Sequence, residues 1–466
     1  MAEKPRTAMA LSELISALSY ALDLTEGQPM GHALRSCIMG MRIASEIGLD
    51  QAAKSDLYYA LLLKDAGCSS NASKLFHILA ADEIRAKREV KTTDWTRVGW
   101  DSLQYALRNV RPGAPVWDRI WGLVSVGARQ KQTSREIVKI RCERGASVAR
   151  KIHLSGRTAE AIHSLDEHWN GNGHPDGLKG TAIPLFSRIM NLTQTLDVFY
   201  MERGPKAAME IVRKRSRRWF DPSLVKAAES LHSREALFQG LDSLDLKSRA
   251  MAFEPLGREI LADDEILDEV CEAFAEVIDA KSPYTYQHST GVARAAVAIA
   301  SHLGLAIPDI RTIRRAALLH DIGKLSVPNS ILEKPGKLDN TEWDVVKLHP
   351  YYTLEILRRV SGFSDISEVA AAHHEKLDGT GYFRCMDASN LSLPARILAV
   401  ADIYDALSAK RPYRDSLDFE TVMAMMRKLA PRAIDADCVE ALANDGGSLT
   451  VQISRLRNSE PSVSVL

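Results

Sequence analysis

His320 and Asp321 stand side by side at the end of Arg311 to Lys324, RTIRRAALLHDIGK, where isoleucine, alanine and leucine recur at helical spacing before the imidazole and the carboxylate. Neither group belongs in a core without a partner. A single His-Asp pair says little in a chain with 13 histidines, and a pair hydrogen-bonded to a helix end would read the same way. The second half of the chain adds more of the same chemistry. His288 opens a helical run through Val292, Ala296 and Ile299, His349 precedes Pro350 at the start of another, and His373-His374 precede the loop Gly379-Thr380-Gly381. Asp402 lies inside Ala395 to Leu407, a segment apolar nearly all round, where a lone carboxylate would be costly and a metal is the natural partner. Five histidines and two aspartates exceed what one tetrahedral zinc takes. Imidazoles with a bridging carboxylate, here Asp321, suit two ions of iron or manganese. Such a pair acidifies a shared water toward a pKa of about 7 and holds the oxygens of an in-line displacement at phosphorus, so the pattern predicts phosphoester hydrolysis. Lys324, one turn beyond Asp321, suits a phosphate oxygen and equally suits the negative end of a helix.

The elements that must position these groups read as helices almost throughout, and an all-α fold is expected. The chain has 466 residues, with 45% hydrophobic and 26% charged residues, the composition of a globular protein of up to about three domains. Sixty basic residues balance sixty acidic ones, which gives no global pull toward nucleic acid or anionic membrane. The six cysteines are scattered without a Cys-x-x-Cys pair, which speaks for a reducing compartment and against a disulfide framework. The N-terminus lacks an apolar core followed by a cleavage site, and no stretch approaches 18 apolar residues, so a cytoplasmic protein without a membrane span is expected. The basic run Arg213 to Arg218, followed by Trp219 and Phe220, reads as the solvated face of a packed helix rather than a nucleic-acid patch.

The two halves are copies. Asp65 lies opposite Asp321 and His32 opposite His288, both 256 residues apart; Gly173 lies opposite Gly381 and Arg188 opposite Arg396, both 208 apart. The change of offset places an insertion of 48 residues in the first copy, between about Ser69 and Ile140. A third block, Arg213 to Val225 over Arg427 to Val439, repeats at 214. The expected organisation is a first domain over residues 1–240, a linker over 241–264 and a second domain over 265–466.

His320-Asp321-Ile322-Gly323-Lys324, His349-Pro350, His373-His374-Glu375 through Asp378-Gly379-Thr380-Gly381-Tyr382, and Ala401-Asp402-Ile403-Tyr404-Asp405 with Arg411-Pro412-Tyr413-Arg414 together resemble the HD-GYP branch of the HD-domain phosphohydrolases, over about residues 279–417. The resemblance implies two tandem HD-type helical domains. It implies that His288, His320, Asp321, His349, His373, His374 and Asp402 ligate two divalent ions, usually iron or manganese. Asp321 and Lys324 would serve catalysis, with Lys324, Tyr382, Arg411 and Arg414 at the substrate. The implied reaction is hydrolysis of cyclic di-GMP, a bacterial second messenger, to the linear dinucleotide pGpG or on to GMP. The name-giving Gly-Tyr-Pro reads Gly381-Tyr382-Phe383 here, and loss of the ring is expected to free that loop. The altered loop leaves another cyclic dinucleotide or phosphoester open as substrate, and a non-catalytic nucleotide-binding scaffold is the reading from a different class.

In the first copy His32 and Asp65 are kept, but His320 faces Lys64, Lys324 faces Cys68, His349 faces Arg141, His373 and His374 face Leu165 and Asp166, and Asp402 faces Gln194. Five of the seven ligands have changed, so no metal site is expected there. Lys64 and Arg141 bring positive charge where cations would sit and are expected to pair with Asp65 and Asp166. Regulation, dimerisation or docking of a signalling protein is the expected role of this half.

Overall fold

The computed structural model describes residues 9–79, 82–92, 135–285, 287–409 and 416–444, and among them the chain is almost wholly helical. The all-α expectation holds. The described strands are β1 (Met9–Ala10) and β2 (Leu261–Ala262), paired antiparallel with Met9 opposite Ala262. No described helix is long and apolar enough to cross a membrane.

The chain divides into two compact units: residues 1–273 with 280–282 and 328–333, and residues 274–279 and 283–327 with 334–466. The first contains α1 (Leu11–Thr25), α2 (His32–Glu46), α3 (Gln51–Leu63), α4 (Ala72–Leu79), α5 (Glu83–Thr92), α6 (135–151), α7 (Gly156–His163), α8 (Leu185–Arg215), α9 (Pro222–Ser233) and α10 (Leu246–Met251). The helix α11 (Asp264–Asp279) runs on into the second unit. That unit is built from α12 (His288–His302), α13 (Ile307–Leu319), α15 (Asn340–Lys347), α16 (His349–Leu357), α17 (Ser364–Ala371), α18 (Leu393–Ser408) and α19 (Phe419–Leu429), while the short α14 (Asn329–Leu332) counts with the first.

Local chemistry sets the helix ends. Asp50, Ser155, Ser392 and Asp418 each cap a helix N-terminus by accepting from a backbone N–H. Leucine, isoleucine and alanine then bury one face, and α12 packs on α13 and α18 with Val292, Ala296 and Ile299 fully buried.

Residues 241–264, expected as a linker, are part of the first unit. Glu254 accepts from Ser12 Oγ at 2.6 Å and Tyr59 Oη at 2.5 Å, and Lys247 Nζ reaches Glu13 at 3.0 Å. Glycine and proline there mark turns within the unit, not a free connector. The basic run is solvated at Arg213, Lys214 and Arg217, as expected, and departs from that reading at Arg215. Arg215 is buried, its guanidinium 4.1 Å from the centre of the Trp219 ring, because the delocalised cation stacks well on an indole face. Of the inserted segment, α4 and α5 are described, and residues 93–134 lie outside the described residues.

Candidate metal centre

Each half-site begins at a helix end. His288 is the first residue of α12, His320 caps the C-terminus of α13, His349 opens α16, and His373 and His374 follow α17. Asp402 projects from the middle of α18. The fold brings all seven together. Asp321 Oδ2 lies 3.3 Å from His320 Nε2 and 3.6 Å from His288 Nε2, while its Oδ1 lies 3.4 Å from His349 Nε2 and 3.5 Å from His373 Nε2. Asp402 approaches His288 Nε2 at 3.3 Å, His320 Nε2 at 3.8 Å and His374 Nδ1 at 3.7 Å. Asp321 is thus central, with histidines on both oxygens.

The hydrogen bonds fix which ring nitrogen faces inward. His320, His349 and His373 each use Nδ1 on the carbonyl three residues earlier, Ala317, Val346 and Ala370, at 2.6 to 2.7 Å. A carbonyl only accepts, so each Nδ1 carries a proton, and the neutral form of each ring turns an Nε2 lone pair into the cluster. His349 Nε2 and His373 Nε2 are 3.0 Å apart, two lone pairs face to face. His320 Nε2 and Asp321 Oδ1 are buried without a hydrogen-bond partner. Converging lone pairs and an orphaned carboxylate oxygen are costly without a positive charge among them, and the donor set of imidazole and carboxylate fits a divalent cation.

Electrostatics agrees with that preparation at His349, His373 and His374. Burial holds His349 and His374 well below the ordinary imidazole range and lowers His373, which keeps them as neutral ligands. Burial also works against charge on His288, but its bonds to Asp402 and Asp405 outweigh it and raise the ring to about 10. Burial would raise the Asp321 carboxyl, yet its contacts with His320 and with the Lys324 ammonium hold it well below the usual carboxylate range. Lys324 Nζ donates to Asp321 Oδ2 at 2.5 Å and is partly exposed. The Tyr382 ring lies 4.7 Å from that of His374, centre to centre, tilted by 34°. Arg411 and Arg414 lie outside the described residues.

The family described as "HD domain" matches residues 116–224 and 272–438. This chain belongs to the HD-domain family. Within it, the chain is 43% identical over 451 residues to the 3'3'-cGAMP-specific phosphodiesterase 3 of Vibrio cholerae, covering 96% of this chain and 97% of that protein. A crystal structure of a cyclic GMP-AMP-specific phosphodiesterase from V. cholerae superposes with a TM-score of 0.66 at 40% identity, over 95% of this chain and 98% of that one. A cyclic di-GMP phosphodiesterase response regulator of Xanthomonas campestris is 34% identical over 205 residues, 43% of this chain and 54% of that protein.

The other HD copy, in the first unit, keeps the scaffold. His32 Nδ1 meets Asp197 Oδ2 at 2.6 Å, and His288 Nδ1 meets Asp405 Oδ2 at 2.8 Å, equivalent pairs at offsets 256 and 208. A Cβ on Gly67 would come within 1.8 Å of the Arg141 carbonyl, and one on Gly323 within 2.0 Å of the His349 carbonyl. The chemistry differs. Lys64 pairs with Asp65 and Arg141 with Asp166, as expected from their positions, and Lys91 Nζ adds a contact to Glu26 at 2.7 Å. Glu26, Asp65 and Cys68 are close enough to hold an ion, but ammonium groups already neutralise the acids. Burial would raise the Asp65 carboxyl, yet Lys64 and Lys91 hold it at about 2; burial keeps the Cys68 thiol protonated.

The loop with Phe383 is not freed. Phe383 has φ 89°, which a proline ring fixed near −65° excludes. Glu375 locks the turn by accepting from Arg384 N at 2.7 Å and Met386 N at 2.9 Å. Glu167 does the same for Asp176 and Gly177 in the first copy. Sequence reasoning passed over Asp405, whose signal was its repeat partner Asp197, and Glu375, whose signal was Glu167.

Proposed function

We propose that the protein is a metal-dependent phosphodiesterase that opens a cyclic dinucleotide, with 3'3'-cGAMP as its substrate and His288, His320, Asp321, His349, His373, His374 and Asp402 holding two divalent ions, iron or manganese. The observation that carries this reading is the set of Nε2 lone pairs of His320, His349 and His373 aimed at one buried carboxylate, Asp321. Bound there, divalent ions supply an acidified water and charge for a phosphoryl oxygen.

The chain's own groups do the rest. Asp405 orients His288 through Nδ1, and three backbone carbonyls hold His320, His349 and His373 in the ligating tautomer. Lys324 carries a fixed positive charge at the partly exposed side of Asp321, where it takes up charge developing on a phosphate. The substrate assignment is supported by the relative that matches along nearly the whole chain and is named for 3'3'-cGAMP. Cyclic di-GMP is the second reading, favoured by relatives named for it that match 43% and 28% of this chain. The first unit, with ammonium groups among its acids, we read as a non-catalytic copy that supports or regulates the second.

The test is turnover by iron- or manganese-loaded full-length protein of 3'3'-cGAMP, cyclic di-GMP and cyclic di-AMP, with products separated by chromatography. Hydrolysis of 3'3'-cGAMP, lost in Asp321→Ala, is expected. Full metal occupancy with no hydrolysis of any of the three would leave a binding scaffold instead.

A further inference from the structure

Beside the histidines of the second unit stands an aromatic wall that metal binding does not explain. The Tyr382 ring is 4.7 Å from His374 and 6.4 Å from His349, and the Trp343 indole lies 6.0 Å beyond it at 70°. Trp343 is 41% exposed, although an indole in this position could bury more surface by packing down. It is held out by its helix. The start of α15 is fixed by a reciprocal cap, with Glu342 N donating to Asp339 Oδ1 at 2.9 Å and Asp339 N to Glu342 Oε2 at 2.8 Å, and Lys334 Nζ adds a 2.5 Å bond to Glu342. Across the same loop, Tyr351, itself 39% exposed, meets Phe383 at 5.7 Å. Phe383 sits in the left-handed region, a strained backbone for an aromatic residue and of a kind that collects at ligand sites.

We propose that Trp343, with Tyr382 behind it, is the platform on which a purine base of the substrate stacks. The inference rests on the phosphodiesterase reading above and adds to it a substrate-binding residue outside the ligand set. A nucleotide carries its base one sugar away from its phosphate. With the phosphate at the histidines, the next surface outward is this pair of rings. Lys347 Nζ, half-buried, lies 6.0 Å from the indole centre and donates to Asp344 Oδ1 at 3.4 Å. Every base offers a π-face, so stacking supplies affinity for any purine dinucleotide.

The experiment compares Trp343→Ala, Trp343→Leu and Trp343→Phe in metal-loaded full-length protein. Expected is a KM for 3'3'-cGAMP raised about tenfold in the alanine and leucine variants, kcat within twofold, and recovery in the phenylalanine variant, which restores a ring rather than bulk. In parallel, tryptophan emission is titrated with a slowly hydrolysed phosphorothioate cyclic dinucleotide; quenching in the wild type that is lost in Trp343→Phe is expected. An unchanged KM in the leucine variant, or no quenching in the wild type, overturns the stacking role. A wild type that quenches but turns over no phosphodiester defeats the phosphodiesterase reading and leaves the platform standing.

Discussion

Asp405 Oδ2 lies 2.8 Å from Nδ1 of His288, while Asp402 Oδ1, three residues earlier on the same helix, lies 3.3 Å from that ring's Nε2. One imidazole is therefore gripped at both nitrogens by α18, one carboxylate facing the cluster and the other orienting the ring from behind. Such outer carboxylates set ring tautomer and ligand basicity. Asp405→Asn should keep the fold by circular dichroism and weaken metal binding about 10- to 100-fold, read by competition with a chromophoric chelator. Wild-type affinity in this variant would mean that the contact only packs.

Lys324 and Asp321 should separate into two roles. Asp321→Ala removes the carboxylate shared by four histidines, and both bound metal and turnover should vanish. Lys324→Ala leaves every candidate ligand in place, so elemental analysis should show normal metal content while kcat falls on the order of 100-fold, the usual effect of losing one charge-stabilising group.

Asp23 gives a pH prediction in the unit where no metal is expected. It accepts from the backbone N–H groups of Gly31, His32 and Ala33, and burial, opposed by Lys64, pushes its carboxyl up to about 7. The folded state thus holds this proton more tightly than the unfolded chain does, and the unfolded state ionises first as pH rises. The contribution to stability is full below about pH 4 and is lost as pH rises through about 7. Denaturant unfolding of Asp23→Asn should show a weaker decline over that window, the difference from wild type changing by no more than about 4 kcal/mol.

Glu83 should be a hot spot for the stability of the first unit. It is fully buried, accepts from Lys281 Nζ at 3.1 Å and receives the Asn329 backbone N–H on both oxygens at 3.0 and 3.1 Å. Removing one member of a buried ion pair strands the other, so Glu83→Ala should cost about 3–5 kcal/mol in denaturant unfolding. The double variant Glu83→Leu with Lys281→Met should recover part of that loss, because the apolar pair strands no charge and leaves only the Asn329 backbone N–H without its acceptor.

How far the sequence could be read depended on the range of the signal. Helices announced themselves by apolar spacing, and the groups at His288, His320, Asp321, His349, His373, His374 and Asp402 could be named because a carboxylate in an apolar helix demands a partner. The repeat offsets carried further, pairing Lys64 with Asp65 and Arg141 with Asp166 before any coordinates. What stayed hidden were contacts without a local signature. Glu83 and Lys281 are 198 residues apart, and nothing near either announces the other. The stretch 241–264 reads as a connector because its glycines and prolines look alike whether they turn in solvent or, like the residues around Glu254, against α1 and α3. Phe383 misled for a third reason: the rule that losing proline loosens a loop ignores that another backbone conformation can be clamped as firmly, here by Glu375.

The two glycines that let one backbone lie against another, Gly67 on Arg141 and Gly323 on His349, suggest an order of loss where such a scaffold is repeated. Chemistry can drift away from a copy, as it has around Lys64, while the crossing of two main chains tolerates no side chain at all. A search for other silent copies should therefore follow the glycine and its spacing to the next helix, and treat the histidines as the part a copy is at liberty to discard.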